Sequence, residues 1–185
     1  MDLAEFQKQT KHLKVAYVHD WLTTYRGGEK VLEEIIKIFP EAPIFTLFYD
    51  NKKLPQSISR RTVFYPKILK FAKYNKAIWL WSFPFLIKSF KLEGFDLILS
   101  TSSCVAKSVS FDKNATHVCY IHSPMRYIWD QKEQYLGKFL RLPVLSYFLN
   151  SLIHHLRNWD KKTAQNGTKF ISNSTFVAKR VANYY

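Results

Sequence analysis

The chain has 185 residues, with 28 Lys+Arg against 14 Asp+Glu, a formal net charge of +14. Hydrophobic residues make up 47% and aromatic residues 17%, with only 5 Gly, which excludes intrinsic disorder, collagen-like sequence and low-complexity linkers. The length fits one domain with a sizeable core, and two cysteines exclude a disulfide scaffold or a Cys-based zinc site.

Residues 1–13 read as an N-terminal extension, without the apolar stretch of a signal peptide. Lys14-Val15-Ala16-Tyr17-Val18 is a short apolar run, read as a buried strand that ends at His19-Asp20-Trp21. A loop holding Gly27-Gly28 follows. Residues 29–39 then carry Val31, Leu32, Ile35, Ile36 and Phe39 at helical spacing, with Glu29 and Glu33 where they suit the positive end of a helix dipole. Pro40 stops that helix. Residues 43–49 and, more weakly, 61–65 read as the second and third strands. Residues 67–91 look helical, interrupted at Pro84. Residues 95–100 and 116–121 are apolar strands that run into Thr101-Ser102-Ser103 and His122-Ser123-Pro124. Helices are expected over 125–136 and roughly 143–165, a strand over 169–172, and a helix over 175–184 with Asn173-Ser174 as its N-cap.

Apolar strands alternating with helices predict an α/β, Rossmann-like doubly wound parallel sheet with helices on both faces, spanning residues 14–185. The uncharged apolar stretches 77–87 and 142–153 fall short of the ~18 residues a membrane span needs, so a cytoplasmic, reduced location is expected. In such a sheet ligands bind outside the carboxyl ends of the strands. Those ends carry His19-Asp20-Trp21, Thr101-Ser102-Ser103, His122-Ser123-Pro124 and Asn173-Ser174.

Each candidate there has a functional and a plain reading. Gly27 and Gly28 would let the backbone of a helix N-terminus approach a diphosphate, or simply make a turn. They match neither a Walker A loop nor G-x-G-x-x-G, which argues against a P-loop NTPase and an ordinary dehydrogenase. His122 would hydrogen-bond a sugar or its leaving group, or be a structural histidine at a strand end. His19 has the same pair of readings. Asp20 would bind a hydroxyl or accept a proton, or cap the loop that follows it. Arg126 would hold a phosphate with its planar fork, or make a surface ion pair, and Lys107 has the same two readings. His154 and His155 are adjacent on a helix and do not share a face. Cys104 and Cys119 read as buried, inert thiols.

Between Asp50 and Glu93 there is no acidic residue, and Lys67, Lys70, Lys73 and Lys76 alternate with aromatics that include Trp79 and Trp81. Three readings compete: a solvated helical face over a core, a patch on an anionic membrane surface, and a nucleic-acid site. No RRM, KH, zinc-finger or helix-turn-helix signature supports the third, so no nucleic acid is expected.

Several runs together resemble a known family. Val15-Ala16-Tyr17-Val18-His19-Asp20-Trp21-Leu22 with Arg26-Gly27-Gly28-Glu29-Lys30-Val31-Leu32-Glu33 is similar to the start of family 4 glycosyltransferases, nearest the O-antigen mannosyltransferase-like enzymes. Phe95-Asp96-Leu97-Ile98, Ser102-Ser103-Cys104-Val105-Ala106-Lys107, Tyr120-Ile121-His122-Ser123-Pro124-Met125-Arg126-Tyr127-Ile128-Trp129-Asp130 and Asn173-Ser174-Thr175-Phe176 continue the likeness. The resemblance implies the N-terminal, acceptor-side half of a GT-B fold and a retaining transferase that needs no metal and no cofactor beyond its nucleotide-sugar donor, often GDP-mannose. It implies a donor-diphosphate contact at Gly27 and Gly28, a sugar contact at His122, and acceptor contacts at Asp20, Lys107 and Arg126. The acceptor would be a glycan or a polyprenyl-diphosphate-linked sugar at the inner face of the membrane, with Lys67, Lys70, Lys73, Lys76, Trp79 and Trp81 on the lipid side. The family's C-terminal donor-binding domain has no counterpart in these residues, so this half alone is expected to have little activity. The competing expectation is a non-catalytic basic module that docks on a membrane or a partner protein.

Overall fold

The computed structural model describes residues 2–67, 76–134, 137, 141 and 143–185. Six strands form one sheet: β1 (Val15–Leu22), β2 (Ile44–Tyr49), β3 (Val63–Phe64), β4 (Leu97–Ser102), β5 (Thr116–Ile121) and β6 (Lys169–Ser172). All pair in parallel, in the order β3-β2-β1-β4-β5-β6. This is the expected doubly wound α/β fold, with its winding reversed between β1 and β4. The described helices are α1 (Leu3–Gln9), α2 (Gly27–Ile35), α3 (Gln56–Ser59), α4 (Phe83–Lys88), α5 (Pro143–Ala164) and α6 (Thr175–Tyr184).

The central strand shows why the sheet is covered on both sides. Ala16 and Val18 of β1 point into one core, with Phe83 and Ile87 of α4 and Ile153 and Leu156 of α5. Val15 and Tyr17 point into the other, with Leu32 of α2 and Ile58 of α3. Side chains alternate across a strand, so a run that is apolar at every position needs an apolar layer on each face. Tyr17 also ties its layer together. Its hydroxyl donates to the Ile35 carbonyl at 3.0 Å and accepts from the Phe39 N–H at 3.0 Å, while burial pushes its pKa up to about 12.

Four expectations change in detail. The N-terminal extension contains α1, capped by the Asp2 carboxylate on the Glu5 N–H at 2.8 Å. Gln7 docks it by donating its amide to the carbonyls of Lys37 and Ile38 at the end of the α2 segment. Helix α2 begins at Gly27, so the two glycines are its first residues and not part of the loop before it. Pro84 sits in the first turn of α4, where a missing N–H costs nothing, and starts a helix that it was expected to interrupt. Residues 126–130 form a turn where a helix was expected, although residues 132–134 are helical. Lys70 and Lys73 lie outside the described residues. Among the described residues, no helix is long and apolar enough to cross a membrane.

Candidate functional site

The carboxyl ends of the strands form the floor of a cleft of about 530 Å³. His19, Asp20 and Trp21 come from β1, Ser103 follows β4, Tyr120 and His122 come from β5 and its end, and Asn173 follows β6. Arg26, Gly27, Gly28 and Glu29 close one side with the N-terminus of α2. The cleft therefore lies at the reversal of winding, where the loops leaving neighbouring strands diverge to opposite faces.

Asp20 organises that floor. One carboxylate oxygen accepts from the N–H groups of Val105 and Ala106, both at 2.7 Å, and the other from those of Ser103 at 2.6 Å and Cys104 at 2.9 Å. The Ser103 hydroxyl adds a bond at 3.1 Å. A carboxylate has about four lone-pair positions, and these donors occupy them. The side chain is 2% exposed. Asp20 thus holds the loop that leaves β4, across the neighbouring strand, whereas the capping expected of it was of the loop that follows it in sequence.

Two histidines face the start of α2. His19 is buried, and its Nδ1 lies 2.5 Å from the Thr101 hydroxyl, the residue paired with it across β1 and β4. A Cβ on Gly28 would stand 3.8 Å from His19 Cε1 and 3.7 Å from His122 Nε2. The hydrogen in place of a side chain leaves the space between ring and helix open. Neither Gly27 nor Gly28 has a positive φ, so what the pair provides is room, not an unusual backbone. Nothing stands within 4 Å of the position a Gly27 Cβ would take.

His122 is held by its backbone N–H on the Ser102 carbonyl at 2.8 Å and by its ring edge against Tyr120, with centroids 5.2 Å apart. Its Nε2 is buried and has no hydrogen-bond partner among the described residues. Burial lowers its pKa, opposed by the negative charges of Asp20 and Glu29, so the ring is neutral at pH 7. Buried polar atoms are nearly always paired, which makes this nitrogen a group waiting for a partner. Glu29 is itself buried and engaged. Its carboxylate accepts from the Arg26 N–H at 2.9 Å and the Thr24 hydroxyl at 3.1 Å, which fixes the first turn of α2.

Lys107 requires a correction. It was expected to contact an acceptor, but it is 1% exposed and lies on the far side of the loop that Asp20 holds. Its ammonium meets the Asp160 carboxylate at 2.5 Å and the Ser108 hydroxyl at 3.0 Å. Asp160 also accepts from the Trp129 indole at 2.8 Å and the Tyr185 hydroxyl at 2.9 Å. The Trp129 end of the His122–Asp130 run thus serves to join the turn after β5 to α5.

Arg126 is exposed and lies outside the cleft, in a separate hollow of about 470 Å³ with Asp130, Phe176, Arg180 and Tyr184. Its Nε donates to the Ser123 hydroxyl at 3.3 Å, next in sequence to His122. Lys67 and Trp81 are exposed, whereas Trp79 packs partly against the core, and Lys76 opens a 3-10 segment, Lys76–Ser82.

The structure thus brings Asp20, Gly27, Gly28 and His122 together and leaves Lys107 and Arg126 out of the cleft. Sequence reasoning placed Thr101 at a strand end without giving it a role, and missed Glu29 as a lining carboxylate and Tyr120. The signal for Thr101 was its place at the polar end of a neighbouring strand. Among the described residues, no group of three His, Cys, Asp or Glu side chains could hold a metal ion. Compared with family models, curated proteins and solved structures, the chain finds no match in any of the three.

Proposed function

We propose that this chain is the acceptor-side half of a retaining glycosyltransferase that moves a sugar from a nucleotide sugar to a glycan or polyprenyl-diphosphate-linked acceptor. GDP-mannose is the first donor to try. The observation that carries the reading is the buried, unpartnered Nε2 of His122 facing open space at Gly28, at the positive end of α2. The resemblance of the Arg26–Lys30 and His122–Asp130 runs to family 4 enzymes supplies the reaction class. The cleft is then one wall of an active site whose other wall is the family's donor domain.

The chemistry follows from charge. As the glycosidic bond to the leaving diphosphate breaks, negative charge grows on the diphosphate and positive charge on the sugar ring. The free N–H groups and dipole at the start of α2 stabilise the former. A neutral His122 bonds a sugar hydroxyl without adding a second positive charge beside the ring. Asp20 acts at one remove, by holding the loop that forms the floor, and is a positioning residue.

The test is transfer of labelled mannose from GDP-mannose by the full-length native protein. His122→Ala should lower kcat/KM at least about tenfold, equivalent to ~1.4 kcal/mol of transition-state stabilisation. Undiminished transfer by a folded variant would refute the role given to His122. Absence of transfer by the native protein with any nucleotide sugar would refute the reaction class.

A further inference from the structure

The amino ends of the strands, opposite the cleft, carry a second hollow of about 700 Å³. Its floor is apolar. Leu13 and Val15 lead into β1, Ala42 and Pro43 into β2, and Phe95 into β4. Leu13 packs on the core layer of α2 and Phe95 on that of α4 and α5, so the floor lies over the seam between the two layers at the edge of the sheet. Helix α1 forms one wall with Gln7, Lys8 and its C-cap Thr10, and the end of the α2 segment forms the other with Ile38 and Phe39. Helix α1 is held there lightly. It buries no residue, and it is tied by the Gln7 amide on the carbonyls of Lys37 and Ile38 and by Phe6 edge-on to Phe39, with centroids 6.0 Å apart.

What this hollow offers a ligand follows from which of its polar groups are already in use. The carbonyls of Phe39 and Pro40 accept from the Arg61 guanidinium, that of Pro43 from the Tyr17 N–H at 2.9 Å, and that of Lys14 from the Asp96 N–H at 2.8 Å. The Thr10 hydroxyl donates to the Phe6 carbonyl at 2.7 Å, and the Gln7 amide is spent as described. A sugar or a nucleobase needs directed donors and acceptors, and these are engaged. Left over are the charged ends of Lys8, Lys11, Lys14 and Glu41, all exposed and none in an ion pair among the described residues. The charges around them keep the balance positive. The Asp96 carboxylate accepts the Lys14 N–H at 2.8 Å, Lys37 pairs with Glu34, and Arg61 stands behind Phe39 and Pro40. Glu5, His12 and Glu93 are exposed and do not line the hollow.

An apolar floor with cations at its rim fits a ligand with an apolar chain and an anionic end. The volume falls in the range of about 300–1,000 Å³ usual for small-molecule sites. Lysine stems lie along apolar surface while their ammonium groups reach water, so the same side chains cover the chain and pair with its head. We infer that the hollow between α1 and the amino edge of the sheet binds a single-chain anionic amphiphile of the fatty-carboxylate class, with its chain on Leu13, Phe39, Ala42 and Phe95 and its head at Lys8, Lys11 and Lys14. Such a ligand covers the apolar surface that α1 leaves open and ties that helix to the sheet. The site lies at the opposite edge from His122 and Gly28, and it does not rest on the glycosyltransferase reading.

The test is calorimetric titration of the full chain with decanoate below its micelle concentration. Saturable binding is expected, with amide NMR shifts at Leu13, Phe39 and Ala42 and none at Gly28 or His122. Decanol, the same chain without charge, and hexanoate, a shorter chain with the same head, should each bind at least about tenfold more weakly. Lys8→Glu/Lys11→Glu should lose at least about tenfold in affinity for decanoate. Lys52→Glu/Lys179→Glu makes the same change in net charge at exposed positions that do not line the hollow and should bind as the parent does. All four lysines are exposed, and the melting temperature separates lost binding from lost fold. No saturable binding, equal binding of decanol, equal binding by the Lys8/Lys11 variant, shifts centred on the cleft, or self-association that excludes the probe would each overturn the inference. Because sugar transfer is not measured, failure here leaves the proposed reaction standing, and the reverse also holds.

Discussion

Two polar regions lie on either side of the loop that leaves β4, and they are built on opposite terms. Behind it, Lys107 and Asp160 form a closed network in which the carboxylate has three side-chain donors, from Lys107, Trp129 and Tyr185. In front of it, His122 Nε2 is equally withdrawn from water and has no partner among the described residues. A saturated buried cluster specifies structure, since every member is answered within the fold. An unanswered buried nitrogen beside open space stores capacity for a ligand. The difference separates residues that look alike as sequence: Lys107 and His122 both follow polar strand ends, but only one of them is still available.

The largest effect in that comparison is expected behind the loop. Asp160→Ala leaves the Lys107 ammonium buried without its counter-ion and removes the acceptor of two further donors. A loss of about 3–5 kcal/mol in unfolding free energy follows, read from urea denaturation. Replacing both charges by apolar groups, Lys107→Met with Asp160→Leu, should recover at least half of it. A loss below ~1 kcal/mol for Asp160→Ala would show that the network is not the structural anchor described here.

A smaller effect concerns pH. His117 is buried, with its ring nitrogens 2.8 Å from the Ser100 hydroxyl and 2.9 Å from that of Thr168. Burial, helped by the charge of Lys107, lowers its pKa from 6.5 to about 3. The folded state therefore resists a proton that the unfolded chain takes up below about pH 6.5, and stability falls as pH drops from there toward 3. Between pH 7 and pH 5 this group alone should cost roughly 2 kcal/mol. His117→Gln should flatten that stretch of the pH–stability curve, and an unchanged slope would mean that other groups set it. His122 shifts in the same direction, so its own variant should remove a further part of the slope.

How much of this could be read from the residues alone depended on whether the partner was local. Strands β5 and β6 and helix α6 fall on the expected residues because apolar runs and an Ser174 N-cap are local signals. Helix α1 was overlooked, although Asp2 followed three residues later by Glu5 is an N-terminal signature, because the stretch has no buried residue to mark it. The roles of Asp20 and Lys107 were not legible. Asp20 is satisfied by backbone N–H groups more than 80 residues away, which every residue type but proline carries. Lys107 finds its counter-ion 53 residues on. The cleft itself was legible, since a parallel doubly wound sheet puts its ligand where the strands end.

The smallest structural effect gives the sharpest test of the open region. Gly28 is in the first turn of α2, and an added Cβ would meet His122 and His19 only at ordinary van der Waals distance. Alanine is also the better helix former, by up to about 1 kcal/mol in a helix interior. If the fold were all that Gly28 serves, Gly28→Ala should leave stability unchanged or raise it slightly, and nothing else should move. If the space before His122 receives a ligand, the same methyl group stands in that space and blocks it. Gly28→Ala is then expected to keep or raise the melting temperature while transfer by the full-length protein falls about tenfold or more. Activity equal to the parent's in Gly28→Ala would mean that the opening between His122 and α2 is a packing gap, and His122 would lose its place in the chemistry.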